Sequence, residues 1–340
     1  MFNFRIRIAD KIMRFKTNSS LLAYNASKAK EFRHFLYSEK KRQDCTFDIK
    51  YGGIPELGEK ELLFRIGEGW SLSKCADKIL FEYPDRNIPN RTAMIAEIKS
   101  DMTEGKIYVN AESPSQDKEE TGRPPVLKMT GNHPAPILAQ SVPKHRLSRK
   151  RTPQKRGQEV MIEIKANFFQ AFFVEYLARQ RVGLLAHCAS VQHRNKLYLF
   201  MGKKETGKST IAHIWHDAVG ATVFNDDRGV IAVKNRTPYF YNAPWVGTLV
   251  DKCDLHSGYP LKIEKIFFIY QSPENALRKI SRQEAIPKIF RNSFPVFWNK
   301  NAAQFALGIC SQIAHTTPCY DFGFVNNESI VTFLKRKLDL

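Results

Sequence analysis

The sequence has no long uninterrupted apolar run. Stretches such as 168–178 are too short to cross a bilayer and carry polar interruptions. The start, MFNFRIRIADK, is basic and alternating. It lacks the continuous apolar block of a secretory signal, so a cytoplasmic protein is expected. Paired cysteines are also missing. Cys45, Cys75, Cys188, Cys253, Cys310 and Cys319 are scattered and form no CxxC motif, which argues against a disulfide framework or a zinc site. Reduced, mostly buried thiols are expected instead. No internal repeat is present. Acidic residues are scarce beside basic ones, 34 against 53, for a formal net charge of +19. That imbalance favours anionic partners: nucleotides, phosphoproteins, acidic peptides, nucleic acid or a membrane surface.

What is present divides the chain. Its 340 residues, 43% of them hydrophobic, suffice for one large or two ordinary domains. Phe2, Phe4, Ile6 and Ile8 alternate with polar residues, the period of a half-buried strand. TFDIKYG, ELLFRIG, KILFEY, TAMIAEI and KIYVN continue this β pattern, with turn chemistry at Gly52-Gly53 and Pro84-Asp85. One helical piece is expected around 27–37. Residues 111–125 are polar and proline-containing, and 143–157 are dense in Lys and Arg. We therefore expect a β-rich domain over 1–125, a basic linker or loop over 126–159, and a catalytic domain over 160–340. In that last part helix and strand patterns alternate, as in an α/β core. Helices are predicted near 169–177, 211–219, 301–314 and 328–337. Strands are predicted at 183–191, 197–201, 221–224, 229–233 and 265–270.

Between the strand 197–201 and the next helix lies Gly202-x-x-x-x-Gly207-Lys208-Ser209. A tight loop running into a helix N-terminus aims several backbone N–H groups at one point, which attracts phosphate oxygens. Gly202, Lys203, Lys204, Glu205, Thr206, Gly207, Lys208, Ser209 and Thr210 are thus the candidate nucleotide-binding residues. Gly207 lets the backbone approach, Lys208 offers a point charge to outer phosphates, and Ser209 can ligate Mg²⁺. Glu205 works against this if its carboxylate points inward. Asp226 and Asp227 follow the strand 221–224, at the sheet edge where such folds bind ligands. One can hold Mg²⁺ and the other can accept the proton of an attacking hydroxyl. Asp226 is carried with Ser209 as a candidate metal contact, without the sequence allotting the two roles. His187, on the preceding strand, is a candidate phosphate or metal contact. His193, His213 and His216 are read as surface residues.

The segment LLAHCASVQHRNKLYLFMGKKETGKSTIAHIWHDAVGATVFNDDRG resembles the catalytic core of the HPr kinase/phosphorylase family. It resembles ATP-dependent phosphoenolpyruvate carboxykinases more distantly. His187-Cys188, the loop 202–210 and Asp226-Asp227 match in order and spacing, within a resemblance running over roughly 160–335. NAPWVG at 242–247, YPLKIEKIFFI at 259–269 and YDFGFV at 320–325 fit more loosely. The resemblance implies a carboxykinase-like phosphate-loop core with a mixed sheet, ATP and Mg²⁺ as cofactors, and phosphoryl transfer to a hydroxyl. It implies that Lys208 and Ser209 bind ATP phosphates and Mg²⁺, and that Asp226 and Asp227 act as metal ligand and base. His187 would contact metal or phosphate, and Pro244, Trp245 and Gly247 would line a substrate-side loop. The glycine- and arginine-containing loop that HPr kinases carry after the aspartates is missing, which argues against HPr as substrate. The expected partners are a nucleotide and a peptide or protein phosphoacceptor, with a homo-oligomer left open. A non-catalytic nucleotide-binding protein of the same fold is the alternative. A carboxykinase or a protein using 144–156 for nucleic acid is less favoured.

Overall fold

The computed structural model describes residues 2–17, 34–39, 41–67, 69–85, 91–110, 169–255 and 260–338. The polar segment 111–125, the basic stretch 143–157 and most of the helix expected over 27–37 lie outside these residues. The described end of that expected helix is not helical. Arg7 N–H donates to Phe35 and Tyr37 N–H to Arg5, and Leu36 bridges Ile6, so this piece pairs with the first strand.

The alternating runs of the N-terminal part form one eight-stranded sheet. Its strands are β1 (Phe2–Ile8), β2 (Lys11–Thr17), β3 (Cys45–Gly52), β4 (Glu61–Arg65), β5 (Ser71–Cys75), β6 (Lys78–Pro84), β7 (Thr92–Lys99) and β8 (Glu104–Asn110). Their spatial order is β1-β2-β3-β8-β7-β6-β5-β4. The pairs β2–β3 and β3–β8 are parallel and the others antiparallel. Ala9 and Asp10, both at positive φ, make the two-residue turn between β1 and β2, as a tight hairpin requires.

The second half begins with α1 (Gln170–Arg179) and the strands β9 (Leu184–His193) and β10 (Lys196–Met201). Next come α2 (Lys208–Val219), β11 (Thr222–Asn225), β12 (Arg228–Lys234), β13 (Thr237–Asn242), β14 (Leu261–Gln271) and β15 (Ala276–Lys279). The chain finishes with α3 (Arg282–Arg291), α4 (Lys300–Thr316), β16 (Cys319–Phe324) and α5 (Ser329–Leu338). The second sheet runs β10-β9-β12-β13-β14-β16-β15, and β10 also pairs with β14. β10, β14 and β16 are parallel, so their C-terminal ends meet at one edge. Alternation on β10 sorts its side chains between two layers. Leu197, Leu199 and Met201 join the cluster under α3 and α4, whereas Tyr198 and Phe200 pack with Ile211 and Trp215 of α2 and Leu334 of α5.

The fold is thus a mixed α/β structure with two mixed sheets. α1 joins them, for Gln170 through Ala178 are all buried. Phe172 meets Phe47 at 4.7 Å between ring centroids, and Phe169 meets Phe15 at 5.8 Å and Trp245 at 5.5 Å. Burying each such ring stabilises the fold by about 2–3 kcal/mol. Polar groups stitch the same seam. Asp10 accepts from Lys234 at 2.8 Å and from the Tyr241 hydroxyl at 3.1 Å. Among the described residues no helix is long and apolar enough to cross a membrane.

Candidate active site

The six residues between β10 and α2 turn sharply. Glu205 and Gly207 both have positive φ, 67° and 98°. At Gly207 a side chain is excluded twice over, because a Cβ would also lie 2.7 Å from the Phe324 ring. No side chain caps α2, which starts at Lys208. Its first N–H groups and the positive end of its dipole therefore face the loop. The Lys208 ammonium folds into that loop, donating to Gly202 at 3.0 Å and Lys203 at 2.8 Å. The residue is buried, and burial pushes its pKa down to about 8 against the pull of nearby Asp227. Thr206 closes the turn by donating to the Lys203 carbonyl. Glu205 does not point inward: its side chain is 85% exposed, near Lys204. Lys203 is also exposed, and Ser209 and Thr210 are half-buried at the start of the helix.

The aspartates reach this loop through β9. Cys188 sits opposite Met201 on β10, and its N–H donates to the Asp227 carbonyl at 3.1 Å. The acidic turn and the first residue of the loop thus flank one backbone position. Asp227 lies 3.3 Å from His187 Nε2 and 3.4 Å from Arg228 Nε. Burial acts to raise the Asp227 carboxyl, but the His187 contact and the charges of Arg228 and Lys208 outweigh it and hold the pKa below the ordinary value. Burial lowers the His187 pKa, opposed by Asp227. A neutral imidazole beside an ionised carboxylate results at neutral pH.

Asp226 has a different setting. Its oxygens accept from Gly247 N–H at 2.8 Å, Thr248 N–H at 2.9 Å, the Thr248 hydroxyl at 3.3 Å and Leu249 N–H at 3.2 Å. It is 2% exposed. The expectation that Asp226 faces a metal does not fit this geometry, since four donors already surround its oxygens. It holds the loop after β13 in place. Gly247 is needed there because a Cβ would meet the Asp226 carboxylate at 2.7 Å. Trp245, expected to line a substrate loop, instead packs on Phe169 and Phe173.

Several positioning residues escaped the sequence reading. Asn225 accepts from the N–H groups of both Asp227 and Arg228 at 2.9 Å. Its own amide donates to Asn242 and to Ala243. Arg228 is buried, donates to Gln170 at 2.7 Å and lies 5.1 Å above the Phe294 ring. Asn225-Asp226-Asp227 was legible as turn chemistry, but nothing there foretold the partners of Asn225 and Arg228, 17 and 58 positions away. The histidines read as surface residues are engaged. His193 packs on Trp215 at 5.7 Å, His216 contacts the Ala221 carbonyl, and His213 pairs with Asp217.

Among the described residues no three His, Cys, Asp or Glu side chains gather as a metal cage. What the corner offers is a tight turn running into an uncapped helix start, with a buried cation on one side and an oriented carboxylate on the other. No family model matches the sequence, and no curated protein matches it. One solved structure similar in part is the Hpr(Ser) kinase/phosphatase from Coxiella burnetii, at 13% identity and a TM-score of 0.26. The alignment covers 46% of this chain and 99% of that one. A likeness at that score says nothing about this chain's activity.

Proposed function

We propose that the chain is an ATP-dependent phosphotransferase that moves the γ-phosphate to a hydroxyl, a serine of a peptide or protein being the expected acceptor. The observation that carries this reading is the meeting of Lys208 and Asp227 at one corner. They stand on either side of the Cys188–Met201 pair, close enough for each to perturb the other's ionisation.

The residues fit a triphosphate. The uncapped start of α2 and the Gly207 turn present N–H groups, and the Lys208 ammonium now occupies loop carbonyls that phosphate oxygens would replace as its partners. They also fit magnesium, which takes few protein ligands and keeps waters and phosphate oxygens around it. Ser209 is the candidate contact. Bound there, Mg²⁺ would offset charge on the outer phosphate oxygens.

The remaining roles belong to the chain's own groups. Lys208 holds the outer phosphates. Asp227 accepts the proton of the acceptor hydroxyl, and His187 and Arg228 orient its carboxylate. Asp226 positions the 247–249 loop beside them. The reason for an inactive nucleotide-binding protein was Glu205, and its carboxylate points to solvent.

Thermal melting with Mg-ATP tests the binding half of this reading. At a ligand concentration 100 times Kd, wild type should gain about 2.7 kcal/mol, and Lys208→Ala should gain little. An unchanged melting temperature in wild type would remove the basis for the proposal.

A further inference from the structure

We infer that Gln170 is a positioning residue for the transfer step: from the helix that joins the two sheets, its side-chain carbonyl holds Arg228 beside Asp227. The inference rests on the phosphotransferase reading above. Its starting point is the Asp227 carboxylate, whose two oxygens have separate neighbours. Oδ1 lies 3.3 Å from His187 Nε2, and Oδ2 lies 3.4 Å from Arg228 Nε. His187 and Arg228 are register partners on β9 and β12, so the sheet fixes both backbones. The imidazole is short and follows its strand. The Arg228 side chain is long, and its tip has to be fixed before its Nε can hold a carboxylate oxygen in one place.

Gln170 supplies the fixed point. Its Oε1 accepts from Arg228 Nη1 at 2.7 Å. The guanidinium thus has Nη1 on Gln170, Nε turned to Asp227 and its carbon 5.1 Å from the centre of the Phe294 ring. Phe294 fills the corner on the other side as well, 6.3 Å from the His187 ring. Gln170 is 4% exposed and opens α1. Its neighbours pin it: Phe169 packs on Phe15 and Trp245, and Phe172 packs on Phe47. Through Arg228, the position of α1 is passed to one oxygen of the base. A buried arginine needs acceptors whatever the chemistry, so this contact can also serve the fold alone. Two features point to the chemistry. The acceptor is a neutral amide, which fixes the guanidinium and leaves its charge for Asp227. The buried chain also ends at the open site, for the Asp227 side chain is 25% exposed where that of Arg228 is 7% exposed.

Steady-state transfer from γ-labelled Mg-ATP to a pool of serine-containing peptides tests this, with Gln170→Met, Arg228→Met and the double variant. Gln170→Met keeps the length of the side chain and removes the acceptor. It should lower the apparent kcat roughly ten- to a hundredfold and leave KM for ATP unchanged. In the Arg228→Met background the same substitution should cost nothing further, because the residue through which Gln170 acts is gone. Should Gln170→Met not fold, Gln170→Asn withdraws the acceptor by one methylene and is read in the same way. A wild-type kcat in the Gln170 variant overturns the inference and leaves the phosphotransferase reading standing. So does an equal loss in both backgrounds, or a loss of kcat accompanied by a matching rise in KM for ATP, as a loosened fold would give. No transfer by wild type sinks the phosphotransferase reading and this inference together.

Discussion

The two sheets bury different kinds of polar group. Among the described residues, the strands of the first sheet bury Thr17, Ser71 and Ser73, all neutral hydroxyls. The second half buries hydroxyls too, at Ser190, Ser293 and Thr317, but adds Gln170, Glu175, Lys208, Asn225, Asp226, Arg228 and Asn242, four of them ionisable. A neutral hydroxyl costs little to bury once it is hydrogen-bonded, whereas a charge is expensive without partners and field. The first sheet thus has the composition of a support. The second keeps costly groups, and all but Glu175 gather around the acidic turn and the loop 202–207. Glu175 is the structural exception: it accepts from Trp298 at 2.5 Å and from Arg179 at 3.0 Å, tying α1 to the segment before α4.

The sharpest way to break this contrast lies within the aspartate pair. Asp227→Asn should cut phosphotransfer roughly a hundred- to ten-thousandfold with a modest loss of stability. Asp226→Asn should do the reverse in kind, costing about 3 kcal/mol of stability because an amide N–H would face the donors of Gly247, Thr248 and Leu249. Chemical denaturation and an activity assay on both variants decide it. Equal profiles for the two would erase the distinction between anchor and base.

A smaller effect concerns the seam between the sheets. Burial acts to raise the Asp10 carboxyl, but Lys234, Tyr241 and Arg7 together hold its pKa below the ordinary aspartate value. Because the folded pKa is depressed, the contact stabilises the protein above the unfolded pKa and is lost as pH falls through the folded one. Asp10→Asn should therefore lower stability at pH 7 by less than about 1 kcal/mol, as expected for a half-exposed pair. The difference from wild type should vanish in acid, read from urea denaturation across pH. Smallest of all is Ser73→Ala in the first sheet, expected to change stability by under about 1 kcal/mol and turnover not at all.

Much of this was legible in the sequence, and what was not has a physical cause. Period-two alternation marked β1 and β3, the apolar run 197–201 marked β10, and the 3.6-residue spacing of Ile211, Ile214 and Trp215 marked α2, so the loop 202–207 could be placed between strand and helix. β5 reads SLSKC and carries little apolar signal. α3 has Pro287 in its interior and is mostly polar, so its periodicity was masked, although Ser281 and Glu284 form a capping box at its start. The roles of Asp226 and Asp227 could not be separated, because the donors that claim Asp226 come from 21 to 23 positions later in the chain. The same holds for the seam, where Asp10 and Lys234 are 224 positions apart. Local pattern shows which element a residue occupies; distant partners decide which carboxylate is left for chemistry.

The fate of the γ-phosphate tests the central claim most directly. With γ-labelled ATP, Mg²⁺ and a library of serine-containing peptides, wild type should move label to peptide, whereas Lys208→Ala and Asp227→Asn should both leave it on ATP. Label leaving ATP as fast in Asp227→Asn as in wild type, or never leaving it in any of the three proteins, would contradict the account.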